Sequence, residues 1–520
     1  MPADVRPRAT PEDLAALRDY IRRTWTTLER SHGDIIAATL DPKISATGRK
    51  APLYVPTDED LGAIERHLQE VAGHRSDLDA IEIRPLPRRW QDIEQHGLLY
   101  LPRHYIVPGG SFNEMYGWDS YFIQIGLMRD GQEQFAYDMV ENALYQVEHY
   151  GAVLNANRTY YLTRSQPPFL SRMVLAAFDR NGDRAWLRRA LDLVEKYYRY
   201  WTSGKKLVDG AGAGLSRYYD SGEGPAPEVF VHEADEHGRT HYDRVGEFYR
   251  TRGGEITEYE VAEFFDAGTD GLTPRFFKAD RAMRESGHDP SNRFGHFNAA
   301  ILDMLPVDLN CLLHQMEVDI AEMHRLLGDR EEVSLWQERS ARRAAVIDAL
   351  MWDERDGLYY DFDFRRGSRR RYPYVTTFFP LYAGIAGEEQ AARVVASLPL
   401  LERGGGLQTS TEASGNQWDA PIGWAPMQWI AVEGLRRYGY HQEADRISAR
   451  FLSMILKEFL EHNVVLEKYD VVQRESRVEG TIRFGYAANE IGFGWTNAAF
   501  VELYEALPPA RRDAVLQIAL

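Results

Sequence analysis

The sequence predicts a mostly α-helical protein, and two observations carry this prediction. Apolar residues recur with helical spacing in about a dozen stretches between residues 119 and 520. Clear apolar stripes run along residues 186–201, 309–327 and 444–459, and Gly328 after the second stripe is a typical helix end. Strand-like alternation is scarce, and residues 357–364 are its best short case. Periodicity alone predicts no particular arrangement of these helices.

The composition is that of a large globular chain with an acidic surface. Its 520 residues, 44% of them hydrophobic, can form a sizeable core in one large domain or in several ordinary ones. The net charge of −18 disfavours nucleic acid and anionic membranes as partners, because both attract basic surfaces. No apolar run approaches the ~18 residues of a membrane span, and the first residues lack the apolar core of a signal peptide. We therefore expect a cytoplasmic protein that binds neither nucleic acid nor membrane.

Residues 1–75 are predicted to form an N-terminal helical extension. Thr10-Pro11-Glu12-Asp13 is typical of a helix start, and the apolar residues that follow have helical spacing. Residues 41–57 are polar and interrupted by proline and glycine, which predicts a loop. We expect the extension to act as a lid or brace on the main domain, residues 76–520, and assign it no chemistry.

Residues 204–275 are predicted to be a loop-rich insertion in the main domain. This stretch is rich in Gly, Asp and Glu and shows weak periodicity. It also holds a cluster of histidines and acids between His232 and Asp243. The spacing of that cluster matches no closed zinc site, so the sequence predicts no metal.

Residues 108–122, Pro-Gly-Gly-Ser-Phe-Asn-Glu-Met-Tyr-Gly-Trp-Asp-Ser-Tyr-Phe, combine a tight backbone turn with a dense group of aromatic rings and carboxylates. Rings stack on the apolar faces of sugars, and a carboxylate accepts hydrogen bonds from sugar hydroxyls. The stretch therefore suits a sugar-binding wall. The alternative is a loop that leads into a buried helix, with the rings as core residues.

This stretch resembles the first signature of the trehalases, glycoside hydrolase family 37. Residues 417–426, Gln-Trp-Asp-Ala-Pro-Ile-Gly-Trp-Ala-Pro, resemble the second signature, and the resemblance runs from roughly residue 100 to 506. It implies an (α/α)6 barrel with long loops over the active-site mouth. It also implies an inverting α-glycoside hydrolase that needs no cofactor, acts on a small α-glycoside and water, and has α,α-trehalose as its first expected substrate.

Glycoside hydrolysis needs two carboxyl groups, one protonated and one ionised, and the resemblance places them at Asp289 and Glu467. Asp289 lies in Glu-Ser-Gly-His-Asp-Pro-Ser-Asn-Arg, which resembles the segment with the catalytic acid, and Glu467 lies in Val-Leu-Glu-Lys-Tyr-Asp, which resembles the segment with the catalytic base. The alternatives are a turn-capping aspartate and an exposed ion pair with Lys468. For an inverting enzyme we expect the two carboxyls roughly 6.5–9.5 Å apart. We also expect burial to keep Asp289 protonated while Glu467 is ionised.

The resemblance also implies a set of substrate-binding residues drawn from four parts of the chain. The set is Phe112, Tyr116, Trp118, Asp119, Asn155, Arg164, Gln166, Glu228, Trp418, Asp419 and Trp424. Asp308 and Asn310 match a family motif whose expected role is helix packing and support of the site.

Three positions depart from the family pattern. His288 stands where the family usually has Trp, and Ser111 and Ala226 stand where it has arginines. Neither serine nor alanine replaces the five donors of a guanidinium, so the leaving group need not be glucose. A glucosylglycerate or mannosylglycerate hydrolase, as in the related family 63, is the second expected activity. A silent carbohydrate-binding protein is the alternative of another class. The sequence makes no prediction of oligomeric state.

Overall fold

The computed structural model describes residues 8–39, 50–71, 78–232, 237–486 and 488–518, and helices dominate it. In chain order the α-helices are Pro11–Leu28, His32–Thr39, Leu61–Val71, Asp119–Arg129, Glu133–Tyr150, Leu170–Asn181, Arg184–Trp201, Val229–His232, His241–Arg252, Pro274–Ser286, Val307–Leu327, Arg330–Met351, Phe379–Tyr382, Glu388–Ala396, Ala425–Arg437, His441–His462, Gly494–Ala506 and Pro509–Arg512.

The strands are short and lie in small separate sheets. They are Glu29–Arg30, Ala51–Val55, Ile81–Pro85, Leu98–Leu99, Tyr105–Ile106, Leu207–Val208, Leu215–Ser216, Phe265–Asp266, Gly271–Leu272, Met304–Leu305, Trp352–Asp353, Leu358–Tyr359, Phe362–Asp363, Ser368–Arg369, Glu402–Arg403, Gly406–Leu407, Ile422–Trp424 and Lys468–Asp470. The predicted strand stretch 357–364 thus holds two of these short strands.

Six helices form a closed inner ring in which each contacts the next and the last contacts the first. Around the ring they are Asp119–Arg129, Leu170–Asn181, Val307–Leu327, Phe379–Tyr382, Ala425–Arg437 and Gly494–Ala506. Longer helices pack against the outside of this ring: Pro11–Leu28, Glu133–Tyr150, Arg184–Trp201, Arg330–Met351 and His441–His462. This is the two-ring arrangement of an (α/α)6 barrel, as predicted.

The helices form where the apolar stripes predict them. The helix Arg184–Trp201 begins at Asp183, whose carboxylate accepts hydrogen bonds from the backbone N–H groups of Ala185 and Trp186. Its apolar stripe is buried. The helix Val307–Leu327 ends at Gly328, which adopts a left-handed φ of 87° as the sequence predicts. A single large cluster of buried apolar residues joins these helices.

The N-terminal helix Pro11–Leu28 is part of the outer ring. Thr10 and Asp13 cap it reciprocally, which confirms the predicted helix start. Its buried face packs against His441–His462 and Gly494–Ala506. The helix thus braces the barrel, while the domain boundary at residue 75 stays a prediction.

The predicted loop 41–57 is wrong at its end, because Ala51–Val55 forms a buried strand between Ile81–Pro85 and Leu98–Leu99. The proline at position 52 misled the prediction, since proline cannot donate to a ladder. Leu98–Leu99 pairs only with Leu53 and Tyr54, so Pro52 has a neighbouring strand on one side only. Residues 40–49 lie outside the described part of the chain.

The stretch 204–275 contains more regular structure than the predicted long loops. The helix His241–Arg252 starts at Thr240, which forms a reciprocal cap with Asp243. Asp243 therefore has a structural role, and residues 233–236 of the histidine and acid cluster lie outside the described residues. Within the described ranges, none of the helices combines the length and apolar character that crossing a membrane requires.

Candidate active site

A cavity of about 180 Å³ opens at one end of the inner ring, where segments that lead into inner helices converge. Trp118 precedes the helix that begins at Asp119, Trp424 precedes the one at Ala425, and Phe493 precedes the one at Gly494. The predicted site residues that line the cavity are Phe112, Tyr116, Trp118, Asp119, Asn155, Arg164, Gln166, Glu228, Asp289, Trp418, Trp424 and Glu467. Two distant signatures and both predicted carboxyls thus meet in one place.

Tryptophans from both signatures form one aromatic wall. The rings of Trp418 and Trp424 stack with centroids 4.0 Å apart and planes 2° from parallel. The ring of Trp118 lies 5.8 Å from that of Trp418, and Trp495 closes the group at 5.7 Å from Trp424. Such a wall offers the flat apolar surface on which sugar rings stack.

His288 lies behind this wall as an aromatic packing residue. Its ring centroid is 4.9 Å from that of Trp418 and 5.6 Å from that of Trp118. The side chain is fully buried, and burial lowers the pKa of His288 to about 3, so the imidazole is neutral near pH 7. The histidine therefore fills the usual tryptophan position with a smaller uncharged ring.

Asp119 places a further carboxyl group in the cavity wall at the start of an inner helix. Burial, together with the nearby carboxylates of Glu467 and Asp289, raises the pKa of Asp119 well above its ordinary value. The backbone before it is fixed because the Trp118 N–H donates to Oε1 of Gln166 at 3.0 Å. Gly117 allows this approach, since a Cβ there would lie 2.8 Å from the carbonyl oxygen of Leu154.

Arg164 supplies a guanidinium held by surrounding acceptors. It pairs with the Glu228 carboxylate, donates to Oδ1 of Asn155 at 3.4 Å, and lies 3.7 Å from Oδ2 of Asp220. Its guanidinium also stacks over the ring of Tyr161, 4.7 Å from the centroid. These contacts bring together three predicted residues, Asn155, Arg164 and Glu228.

Asp289 lies in an irregular segment after the helix Pro274–Ser286. That helix ends at Gly287, which has a φ of 74°, and a Cβ at this position would lie 2.8 Å from the Trp118 ring. The Asp289 side chain is 29% exposed, with Nη1 of Arg284 3.9 Å from its Oδ2. Asp289 is therefore more open than the sequence-based expectation of a buried acid.

Glu467 is the more buried of the two carboxyls, with a side chain 1% exposed. Its carboxylate accepts a hydrogen bond from the Tyr486 hydroxyl, and Nζ of Lys468 lies 3.3 Å from Oε2. Oδ1 of Asn489 accepts the backbone N–H of Glu467 at 3.1 Å and fixes the segment. Burial raises the pKa of Glu467, while Lys468 and Tyr486 act in the opposite direction.

Asp419 is the predicted site residue that the structure places behind the cavity wall, where it is fully buried. Its carboxylate accepts hydrogen bonds from the Asn292 N–H at 2.8 Å, the Tyr372 hydroxyl at 2.8 Å and the Ser414 hydroxyl at 2.6 Å. Burial raises the pKa of Asp419 to about 6. These contacts tie the second signature to the segment just after Asp289.

Several residues of the cavity wall were missed from the sequence. Arg284 and Tyr486 line the cavity beside Asp289 and Glu467, and Tyr161 lies under Arg164. Arg284 carried a usable signal, because it lies on the last turn of the helix that leads to Asp289. Tyr486 carried none, because only the fold brings residue 486 to Glu467.

The expected supporting residues Asp308 and Asn310 lie outside the cavity. The Asp308 carboxylate pairs with Arg293 at 2.6 Å, and Asn310 bonds both backbone groups of Ser216. Among the described residues, one group has the spacing of metal ligands: Glu458, Glu461 and His462, on an outer helix. Glu458 already accepts two hydrogen bonds from Ser476, and none of the three lines the cavity.

Comparisons with known proteins identify the family to which the chain is similar. The family model described as Trehalase matches residues 9–508. A cytosolic neutral trehalase of Emericella nidulans is 35% identical over 98% of this chain and 74% of its own length. A periplasmic trehalase of Pseudomonas aeruginosa is 35% identical over 87% of this chain and 80% of its own length.

Two solved structures have a fold similar to that of this chain. The neutral trehalase of Saccharomyces cerevisiae superposes with a TM-score of 0.80 at 32% identity and covers 98% of this chain and 96% of its own. A family 63 mannosylglycerate hydrolase from Thermus thermophilus superposes with a TM-score of 0.50 at 19% identity, covering 76% and 95%. The second likeness shows a shared fold.

Proposed function

Because this chain belongs to the trehalase family, we propose that it hydrolyses α,α-trehalose to two molecules of glucose. The observation that carries the proposal is the convergence of Asp289, Glu467 and the tryptophans of both signatures on one cavity. An aromatic wall with carboxylate acceptors would also serve a carbohydrate-binding protein, so membership of the trehalase family is what favours hydrolysis. The activity is therefore that of a glycoside hydrolase.

We assign the acid role to Asp289 and the base role to Glu467. Asp289 gives its proton to the glycosidic oxygen as the bond from that oxygen to the anomeric carbon breaks. A water molecule attacks the same carbon from the opposite face, and Glu467 takes the proton that the water loses. The anomeric configuration inverts, and each carboxyl ends the reaction in the protonation state from which the other began.

The remaining predicted residues bind the glycosyl units. Trp118, Trp418 and Trp424 form the stacking surface, and Asp119 and Arg164 offer an acceptor and a donor for hydroxyl groups. Phe112, Tyr116, Asn155, Gln166 and Glu228 complete the wall, and Asp419 acts from behind it by holding the segment after Asp289.

Arg284 supports trehalose as the substrate despite the missing arginines at Ser111 and Ala226. Its guanidinium, whose Nε donates to Oδ2 of Asp280, lies in the cavity wall with Nη1 3.9 Å from Oδ2 of Asp289, so Arg164 and Arg284 both line the cavity. Charged hydrogen bonds are each worth about 1.5–3 kcal/mol, so a second guanidinium offsets much of the loss. Ser111 lies exposed at the cavity mouth.

The predicted cytoplasmic location is supported by the cytosolic names of several relatives, such as the protein of Emericella nidulans. The relative from Pseudomonas aeruginosa carries a periplasmic name. Fractionation of the native host, with immunodetection of the full chain, tests the location directly.

A substrate panel tests the activity. Purified protein is incubated separately with trehalose, glucosylglycerate and mannosylglycerate, and the released sugar is followed by NMR. We expect release of glucose from trehalose and at most slow release from the two glycerates. Turnover of a glycerate in preference to trehalose would instead assign the protein to the second expected activity. Silence on all three would favour a carbohydrate-binding protein.

A further inference from the structure

The proposed base is more buried than the proposed acid, although burial favours the protonated form that the acid needs. Glu467, the proposed base, has a side chain 1% exposed, whereas the side chain of Asp289, the proposed acid, is 29% exposed. Burial favours the neutral form of a carboxyl group. Glu467 therefore needs a local source of positive charge to be ionised when the substrate is bound.

Lys468 is the cation closest to Glu467. Its Nζ lies 3.3 Å from Oε2 of Glu467, and the lysine side chain is fully buried. Nζ also donates to Oε1 of Gln417 at 3.2 Å and to the backbone oxygen of Tyr486 at 3.0 Å. It stands 3.7 Å from the centroid of the Tyr486 ring. The ammonium group is thus fixed on several sides.

Lys468 contacts the Glu467 carboxylate but does not line the cavity in which the substrate would bind. The described residues that line the cavity include Gln417, Glu467 and Tyr486 but not Lys468. Through Gln417 the lysine also reaches the acid, because the Gln417 amide donates to the backbone oxygen of Asp289. A continuous chain of polar contacts therefore joins Lys468 to both carboxyl segments.

We propose that Lys468 is a positioning residue that keeps Glu467 ionised and oriented as the base, and this inference rests on the proposed function. The ammonium group selects which carboxyl carries the negative charge, because it lies in contact with Glu467. Tyr486 assists because its hydroxyl donates a hydrogen bond to the Glu467 carboxylate.

The charges around Glu467 show why such a residue is needed. Asp119 and Glu490 add negative charge near Glu467, and both raise the cost of ionising it. Lys468 and Tyr486 stabilise the ionised form. Burial lowers the pKa of Lys468, while the carboxylates of Glu467, Glu490 and Asp289 act in the opposite direction. The lysine therefore opposes the negative charge that Asp119 and Glu490 place near Glu467.

The test measures kcat/KM for trehalose against pH in the wild type, Lys468→Met and Lys468→Arg. An opposite charge at this distance lowers a carboxyl pKa by about one to three units, so Lys468→Met should move the acidic limb upward by that amount. Lys468→Arg keeps the charge and should shift the limb less. The KM for trehalose should change little, because Lys468 does not line the cavity. An unmoved limb in folded Lys468→Met would overturn the proposal.

Two further variants serve as controls for this experiment. If Lys468→Met does not fold, Lys468→Gln removes the charge and keeps a polar side chain that can bond to neighbours. In a Glu467→Gln background, Lys468→Met should leave the residual rate unchanged, since the lysine acts through the carboxylate. A loss there as large as in the wild type would contradict the positioning role.

A readout without substrate separates this proposal from the proposed function. The pH-dependent infrared carboxylate signal that disappears in Glu467→Gln reports the ionisation of Glu467 itself. Its midpoint should rise in Lys468→Met even if the wild type hydrolyses no trehalose. An unchanged midpoint rejects the role of Lys468, whereas absence of glucose release by the wild type rejects only the proposed activity.

Discussion

The two sides of the cavity hold their carboxyl groups in different ways. On the Asp289 side an irregular segment presents a partly exposed side chain, with the Arg284 guanidinium 3.9 Å away. On the Glu467 side the carboxyl lies just before a short strand and is buried in contact with the Tyr486 hydroxyl and the Lys468 ammonium. Burial alone would assign the protonated role to Glu467. Each carboxyl has a buried cation nearby, and under the proposed roles the closer Lys468 ammonium must outweigh the burial of Glu467.

The two sides also differ in how their backbone is held. Asp419 and Gln417 of the second signature bond the backbone on either side of Pro290, so the second signature holds the acid side directly. Asn489 accepts the N–H groups of both Glu467 and Lys468 at 3.1 Å, so the base side is held by the segment that precedes the last inner helix.

Removal of either carboxyl should have the largest effect and show whether both sides are catalytic. Asp289→Asn and Glu467→Gln should each lower kcat by about 10²–10⁴-fold, because each removes one proton-transfer step and keeps the side-chain shape. Steady-state kinetics with trehalose measure the effect. Asp192→Asn, at an exposed acid on an outer helix, is the matched control and should keep the wild-type rate. Normal turnover by Asp289→Asn would remove it from the mechanism.

Substitution of Arg284 tests whether the guanidinium next to Asp289 contributes to activity. Arg284→Gln removes a guanidinium next to Asp289 and should lower kcat/KM by about 10–100-fold, the equivalent of one charged hydrogen bond. Arg281→Gln is the control, since Arg281 lies on the same helix and bonds the backbone oxygens of Gly224 and Pro225. Equal losses in the two variants would mean that the effect comes from the insertion's structure and not from the cavity.

Asp419→Asn tests the link between the second signature and the acid side. An amide can no longer accept all three hydrogen bonds, so the free energy of unfolding should fall by about 1–3 kcal/mol. The folded pKa of about 6 lies above the ordinary carboxyl value, so the stability contributed by the protonated form is lost as pH rises from about 4 to 6. Denaturant unfolding at several pH values measures both effects. A variant as stable as the wild type would show that the hydrogen bonds of the Asp419 carboxylate do not stabilise the fold.

Asp119→Asn tests the carboxyl at the start of an inner helix, and its effect is measured in the pH dependence of stability. The folded pKa of Asp119 is raised, so the folded protein binds more protons than the unfolded chain and its stability falls as pH rises above about 4. The variant lacks this slope, which for one group is at most ~1.4 kcal/mol per pH unit. The stability difference in favour of Asp119→Asn should therefore grow between pH 5 and pH 8. A constant difference would mean that burial and the neighbouring carboxylates do not raise the pKa of Asp119 in the folded protein.

Much of the fold was predictable because its signals are local. Stripes such as that of Arg184–Trp201 and a cap such as Thr10 depend on neighbouring residues, and their helices formed as expected. The helix at His241 carried a readable cap in Thr240 and Asp243, but the glycine- and acid-rich surroundings concealed it. The strand Ala51–Val55 was missed because its partners lie far along the chain.

The site was predictable where signature residues lie together in sequence, and less so where the fold decides. Trp118 and Trp418 were assigned from their motifs, and both line the cavity. The sequence could not show that Asp289 is the more open carboxyl, since exposure depends on packing. The contacts of Lys468 with Gln417 and Tyr486 also need the folded chain, so its pairing with Glu467 resembled a surface ion pair.

The anomers of the first glucose formed from trehalose test the central claim most directly. If Asp289 and Glu467 act as the proposed acid and base, water inverts one anomeric centre while the leaving glucose keeps its own. Rapid NMR of wild-type hydrolysis in ¹⁸O-labelled water should then show α- and β-glucose in equal amounts, with the label in the β anomer only. Release of α-glucose alone, with the label in it, would contradict the account.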